Sequence, residues 1–302
     1  MKTPRLNDVV RSAHELWPVS LSEGWDASGL VSGRGDQLVR RIMFAVDAVQ
    51  ATAREAVGAE CQLLLTHHPL LLRGAQFLPA SSDKGAVLHT LIEAGCGLLA
   101  SHTNADSMAG GVSDALITAC GIDTSVPLGD PESETGIGRV GDLPEEITLE
   151  RLGQRLSSTL LPTAGGLRIA GPRDGVVRRV AVCGGAGDSL FDEVRSADAD
   201  VYVTADLRHH PASEARERAL LAGGKPYLVD CSHFASEELW LAHGARMLRN
   251  RLAEQGYEVE TLLSSLNTDP WDFTIHPESA PSSASTEPDA IGYARERRAS
   301  GR

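Results

Sequence analysis

Apolar positions recur at helical spacing from about Leu6 to Leu16, which predicts an amphipathic helix. A polar loop carrying Trp25-Asp26-Ala27-Ser28-Gly29-Leu30 follows. The pattern then changes to short, continuous apolar runs separated by helical stretches. Residues 41–46 read as a strand, 48–57 as a helix, 61–65 as a strand, 84–94 as a helix and 97–100 as a strand. Apolar runs without polar alternation suit strands covered on both faces, and the strand–helix–strand order predicts a parallel or mixed sheet.

The second half repeats this punctuation. Residues 178–183 read as a strand, Gly184, Gly185 and Gly187 as a turn, and 190–196 as a helix. A strand over 201–204, a helix over 212–222 and a strand over 227–229 complete the series. After the second strand of each half comes His-His-Pro: His67-His68-Pro69, then His209-His210-Pro211. After the third comes Ser-His: Ser101-His102, then Ser232-His233. A carboxylate follows that His by the same step in both halves, Asp106 and Glu237. The match predicts an internal duplication. The expected fold is α/β, with two similar lobes facing one another, each a mixed sheet with flanking helices. Residues 1–128 would form the first lobe. Residues 129–176 would form a connector, rich in Gly, Asp and Glu and carrying a helix, and 177–275 the second lobe. Residues 276–302, rich in Pro, Ser and charge, would form a disordered tail.

The His and carboxylate positions are the candidate chemistry. Ligands gather at the carboxyl ends of strands in open α/β sheets, and neutral imidazole is the commonest transition-metal ligand. His67 and His68 are either ligands or a hydrogen-bonded pair. Asp106 is either a ligand or a helix N-cap. His233 and Glu237 share a face if helical, and a Glu with both oxygens free can bridge two ions. The turn at Gly184-Gly185-Ala186-Gly187 serves either tight packing or an anion at a helix start. Ser28 lacks the preceding glycine that a nucleophile elbow needs.

Composition narrows the classes. The 302 residues are 42% hydrophobic but only 4% aromatic, so the core must be built from aliphatic side chains. The net charge of -13 makes nucleic acid an unlikely partner, because an acidic surface repels phosphate backbones. Cys61, Cys96, Cys120, Cys183 and Cys231 are odd in number and show no CxxC spacing, which predicts buried thiols rather than disulfides. No signal core or membrane-length apolar run is present, so the expected location is cytoplasmic.

Several motifs together resemble one known family, the GTP cyclohydrolase 1 type 2 homologues, or dinuclear-metal-centre hexameric toroid proteins. They are the Trp25–Leu30 segment, Leu65-Thr66-His67-His68-Pro69, Ser101-His102-Thr103-Asn104-Ala105-Asp106, Gly136-Ile137-Gly138-Arg139-Val140-Gly141, Val203-Thr204-Ala205-Asp206, and Ser232-His233-Phe234-Ala235-Ser236-Glu237. The resemblance covers about residues 6–271. It implies His67, His68, Asp106, His233 and Glu237 as ligands of two divalent ions per chain, Zn, Fe or Mn, with Glu237 bridging. It also implies a homohexameric ring, a metal site in the cleft between the two lobes, and hydrolytic opening of the guanine imidazole ring of GTP, or action on another nucleotide or phosphorylated small molecule. His210 is the first candidate proton shuttle and His102 the second. The alternatives are a non-enzymatic metal-binding or metal-delivery protein and a ring-shaped interaction scaffold. Three positions depart from the family pattern: Ala27 stands for Asn, Ala205 for Gly and Ser236 for Thr. Ala205 bears on the backbone, because glycine alone readily takes positive φ.

Overall fold

A computed structural model describes residues 2–275. The tail expected over 276–302 lies outside the described residues. In chain order the first half holds α1 (Leu6–Leu16), β1 (Gly29–Ser32), β2 (Arg41–Ala45), α2 (Gln50–Gly58), β3 (Leu63–Thr66), α3 (Asp83–Glu93), β4 (Gly97–Ala100), α4 (Thr103–Ser107) and α5 (Val112–Ala119). There follow β5 (Val126–Pro127), β6 (Arg139–Thr148), α6 (Leu149–Thr159), β7 (Arg168–Ala170), β8 (Val176–Ala186) and α7 (Phe191–Ser196). The chain continues with β9 (Val201–Ala205), α8 (His209–Leu221), β10 (Tyr227–Cys231), α9 (His233–Glu254) and β11 (Glu260–Leu263).

The strands form two mixed sheets, ordered β1-β4-β3-β2-β11 and β5-β6-β8-β9-β10-β7. In the first, β4, β3, β2 and β11 run parallel and β1 is an antiparallel edge. In the second, β8, β9 and β10 run parallel, with antiparallel β6 and β5 on one side and β7 on the other.

Side-chain alternation explains why the central strands are apolar throughout. Ile42, Phe44, Leu63, Leu65 and Leu99 of the first sheet point into one core, and so do Val180, Val182, Val201 and Val203 of the second. The intervening Met43, Leu64 and Leu98 face α2 and α3. Ala181, Tyr202 and Leu228 face α7 and α8. Between the sheets lie α1, α5 and α9, whose buried positions join the shared core. Each fully buried Val, Leu, Ile or Phe there stabilises the fold by roughly 1.5–3 kcal/mol. A T-shaped pair, Trp17 on the residue after α1 and Trp240 on α9, sits inside it with ring centres 5.2 Å apart.

The boundaries differ from those expected. Residues 129–176 are more than a connector: β6 and β7 are strands of the second sheet, and α6 packs its leucines into the shared core. Conversely β11, expected within the second lobe, pairs with β2 of the first sheet. The physical reason is α9, a 22-residue helix that carries the chain from β10 in one sheet back to β11 in the other. Among the described residues no helix is long and apolar enough to cross a membrane. All five cysteines are buried and unpaired, and burial pushes their thiols up, that of Cys61 to about 11.

Candidate metal centre

The carboxyl ends of the parallel strands of both sheets open on one cleft of about 1630 Å³. Asp47 follows β2, His68 follows β3 and His102 follows β4; Gly185 lies near the end of β8, Asp206 follows β9 and His233 follows β10. His67 is fully buried and does not itself line the cleft, and Glu237, which does, is 3% exposed. Ser232 caps α9, its hydroxyl accepting from the Ala235 amide at 3.3 Å, so His233 and Glu237 stand one helical turn apart and aim at the same point.

The second ring nitrogen of each histidine settles which atom faces the cleft. His68 Nδ1 lies 2.7 Å from Asp47 Oδ1, His233 Nδ1 2.8 Å from Asp206 Oδ2, and His102 Nδ1 2.8 Å from Asp26 Oδ1. His67 Nδ1 lies 2.9 Å from the Ser101 carbonyl. Every one of these partners only accepts, so each Nδ1 carries a proton, and Nε2 is the atom each ring would offer to an ion.

Three of these Nε2 atoms, those of His67, His68 and His233, converge on Glu237. Its Oε1 is 3.0 Å from His233 Nε2 and 3.4 Å from His67 Nε2, and its Oε2 is 3.0 Å from His68 Nε2. His68 Nε2 and His233 Nε2 are 3.1 Å apart, and His67 Nε2 is 3.6 Å from Asp106 Oδ1. Two nitrogens at such a distance need a proton or a metal ion between them. His67 Nε2, Asp106 Oδ1 and Glu237 Oε2 are buried without a partner in hydrogen-bond geometry. Buried polar atoms are rarely left so, since each costs about 1–3 kcal/mol.

Protonation registers the same crowding. Burial alone would lower His68 and His233, but Glu237 and the carboxylates behind the rings outweigh it, raising His68 to about 10 and His233 to about 11. Glu237 is held well below its usual range: burial opposes this, and the three imidazoles overcome it. Asp106 moves the other way, because burial dominates there.

Two overlapping groups, His67–His68–His102 and His68–His233–Glu237, each hold donor atoms within 4.8 Å of one another and could hold a metal ion. Imidazole with carboxylate suits Zn, Fe or Mn. The orphaned donors and the locked lone pairs therefore fit a divalent metal.

All five expected ligands come together here, and His102 joins them. His209 and His210 do not. They lie exposed in the first turn of α8, their rings 5.2 Å apart, and neither lines the cleft. β9 ends at Ala205, so the residue directly after this strand is Asp206, as His67 directly follows β3. Asp206, not Ala205, takes the positive φ (54°) at this bend, so the loss of glycine at 205 leaves the turn intact. Ser236 donates to the His233 carbonyl at 2.7 Å and accepts from the Gly185 amide at 2.9 Å.

Sequence reading did not single out Asp26, Asp47 and Asp206 as the groups that orient the histidines. Their signal was modest: Asp47 and Asp206 each fall just past a buried strand. The Trp25–Leu30 motif now has a role, since Asp26 holds His102 and also takes the Thr103 amide at 3.1 Å, while Ser28 donates to Asn104 at 2.8 Å. Gly184 and Gly185, expected in a turn, fall inside β8. A Cβ on Gly185 (φ +66) would sit 2.5 Å from Glu237 Oε1.

Comparison with known proteins agrees with these motifs. The chain is 47% identical to the GTP cyclohydrolase 1 type 2 homolog of Streptomyces coelicolor, over 93% of this chain and 98% of that one. It is 32% identical to the protein of the same name from Mycobacterium tuberculosis, over 88% and 96%. The fold matches a Bacillus cereus protein related to NIF3 with a TM-score of 0.80 at 22% identity, covering 91% of this chain and all of that one. Residues 4–270 match Duf34/NIF3 (NGG1p interacting factor 3), and with the strand-end histidines in place the chain belongs to that family.

Proposed function

We propose that the chain is a metal-dependent hydrolase acting on a nucleotide or related small molecule. The observation that supports this best is the convergence of imidazole lone pairs on Glu237 at the base of an open cleft, each ring locked through Nδ1. His67, His68, Asp106, His233 and Glu237 would hold two divalent ions, with Glu237 between them. Bound there, such ions supply Lewis acidity, polarising a substrate and lowering the pKa of water.

The chain's own residues do the rest. Asp47 and Asp206 hold the Nδ1 protons of His68 and His233, so that an ion displacing the other proton would meet Nε2. His102 faces the cleft with its Nδ1 anchored to Asp26, which makes it the better placed of the two candidate proton carriers. The cleft wall shields the cluster on its buried side, where Glu237 and His67 have almost no solvent contact. The names of the curated relatives support a GTP-related small molecule. The homohexameric ring and the internal duplication belong to the same proposal, and the solution mass tests the first.

The test is elemental analysis of purified protein and of a His68→Ala, Glu237→Ala double variant, followed by turnover assays. About two ions per chain, lost in the variant, with hydrolysis that depends on them, is the expected result. A protein that takes up neither Zn, Fe nor Mn ends the reading. Full metal occupancy without hydrolysis of any nucleotide, nucleoside or nucleobase leaves metal binding and removes the enzyme.

A further inference from the structure

Two features of the cleft bear on which part of such a molecule it receives, and the inference rests on the hydrolase reading above. The first is charge. Nine side chains lining the cleft are carboxylates, and among the described residues Arg168 is the one Lys or Arg that lines it. Arg168 is already paired: its Nε donates to Asp230 Oδ2 at 2.8 Å. Glu23, Asp130, Glu193 and Asp269 lie outside the candidate metal groups, so ions held at the centre would leave them uncompensated. Two backbone amides at the end of β8 are engaged as well. The Gly184 amide donates to Ser113 Oγ at 3.3 Å and the Gly185 amide to Ser236 Oγ at 2.9 Å.

The second feature is aromatic surface in a chain that has little. Trp25, Trp271 and Phe273 line the same cleft with 59%, 72% and 75% of their surface exposed. They are tied to the centre. The Trp25 ring meets His102 edge-on with ring centres 5.8 Å apart. The Trp271 amide donates to Asp269 Oδ1 at 3.0 Å, and the other oxygen of Asp269 accepts from Ser232, next to His233. Indole faces are electron-rich and stack on planar rings, and they favour neutral or cationic partners over anions.

We infer that the cleft binds a planar heterocyclic ring that is neutral or cationic and carries no polyphosphate, of the nucleobase or nucleoside class, with Trp25 and Trp271 as specificity-determining residues. A triphosphate tail finds carboxylates on every side and no unpaired cation of the protein to receive it, so like-charge repulsion disfavours it.

The test uses full-length protein loaded with Mn or Zn, its metal content measured first. Binding of guanosine and of GTP is then compared by calorimetry and tryptophan quenching at low and high salt. Guanosine should bind at least about tenfold more tightly than GTP at low ionic strength, and the gap should narrow as salt screens the carboxylates. Trp25→Leu and Trp271→Leu should each weaken guanosine binding by about tenfold, with metal content unchanged. Tighter binding of GTP, guanosine affinity indifferent to both substitutions, or failure of metal-loaded protein to bind guanosine would each overturn the inference while leaving the metal centre standing. A protein that takes up no metal brings down the hydrolase reading, and this inference with it, before any nucleoside is tried.

Discussion

The carboxylates behind the imidazoles matter as much as the atoms facing the cleft. Asp47 accepts from His68 and also from Thr268, so it is fixed on both sides. Replacing it with Asn removes the charge but keeps the shape. Asp47→Asn should weaken metal affinity by about 10- to 100-fold, read by chelator competition, and unchanged affinity would show that His68 needs no fixed tautomer. A second expectation concerns pH. In chelated protein His68 and His233 are raised from the ordinary 6.5 to about 10 and about 11. A group raised on folding contributes stability that is fully present below 6.5 and is lost as pH rises through the folded value. The Tm of chelated protein should therefore fall from pH 6.5 towards 10–11. Metal affinity should rise over the same range, because an ion must displace those protons. A flat Tm profile across that window would mean that the rings are neutral without metal. At this scale the candidate ligands were legible in the sequence because His-His-Pro and His-x-x-x-Glu are local spacings. Their orienting partners were not, because Asp26 and His102, or Asp206 and His233, meet only across loops.

Among the elements, α9 carries the most. Its first turn presents His233 and Glu237, its middle buries Trp240 against Trp17, and its length returns the chain to the first sheet. Trp240 is fully buried, and its ring centre lies 5.8 Å from that of His67. Trp240→Ala should cost about 3–5 kcal/mol in urea unfolding, since it opens a cavity beneath the centre. A loss below about 1 kcal/mol would show that the two sheets hold without this contact. The strands β2, β3, β4, β8, β9 and β10 could be read from the chain because each is a continuous apolar run. By contrast β6 begins in a segment dominated by Gly, Asp and Glu, and β11 is four residues long and half-exposed. Their pairing partners, distant in sequence, decide that they are strands, and local propensity carries no trace of that.

For the whole molecule, charge and burial are the governing quantities. With a net charge of -13 and an acidic cleft, the protein should not retain duplex DNA in a mobility-shift assay at physiological salt. A salt-sensitive shift would require a basic surface absent from the cleft and would revive the interaction-scaffold reading. The expectation of two sheets with flanking helices is met, but they are not independent halves. One core, filled by α1, α5 and α9, serves both sheets.

By itself the sequence determined the apolar strands, the helices between them and the identity of the candidate ligands, because these depend on side-chain chemistry and short spacings. Only the tertiary structure decided that Asp206 rather than His209 or His210 faces the cleft, that β11 crosses back to the first sheet, and that Asp26, Asp47 and Asp206 set the imidazole tautomers. Each of these turns on where a strand stops or which loops meet. Those outcomes are fixed by packing between segments far apart in the chain, which a local pattern does not encode.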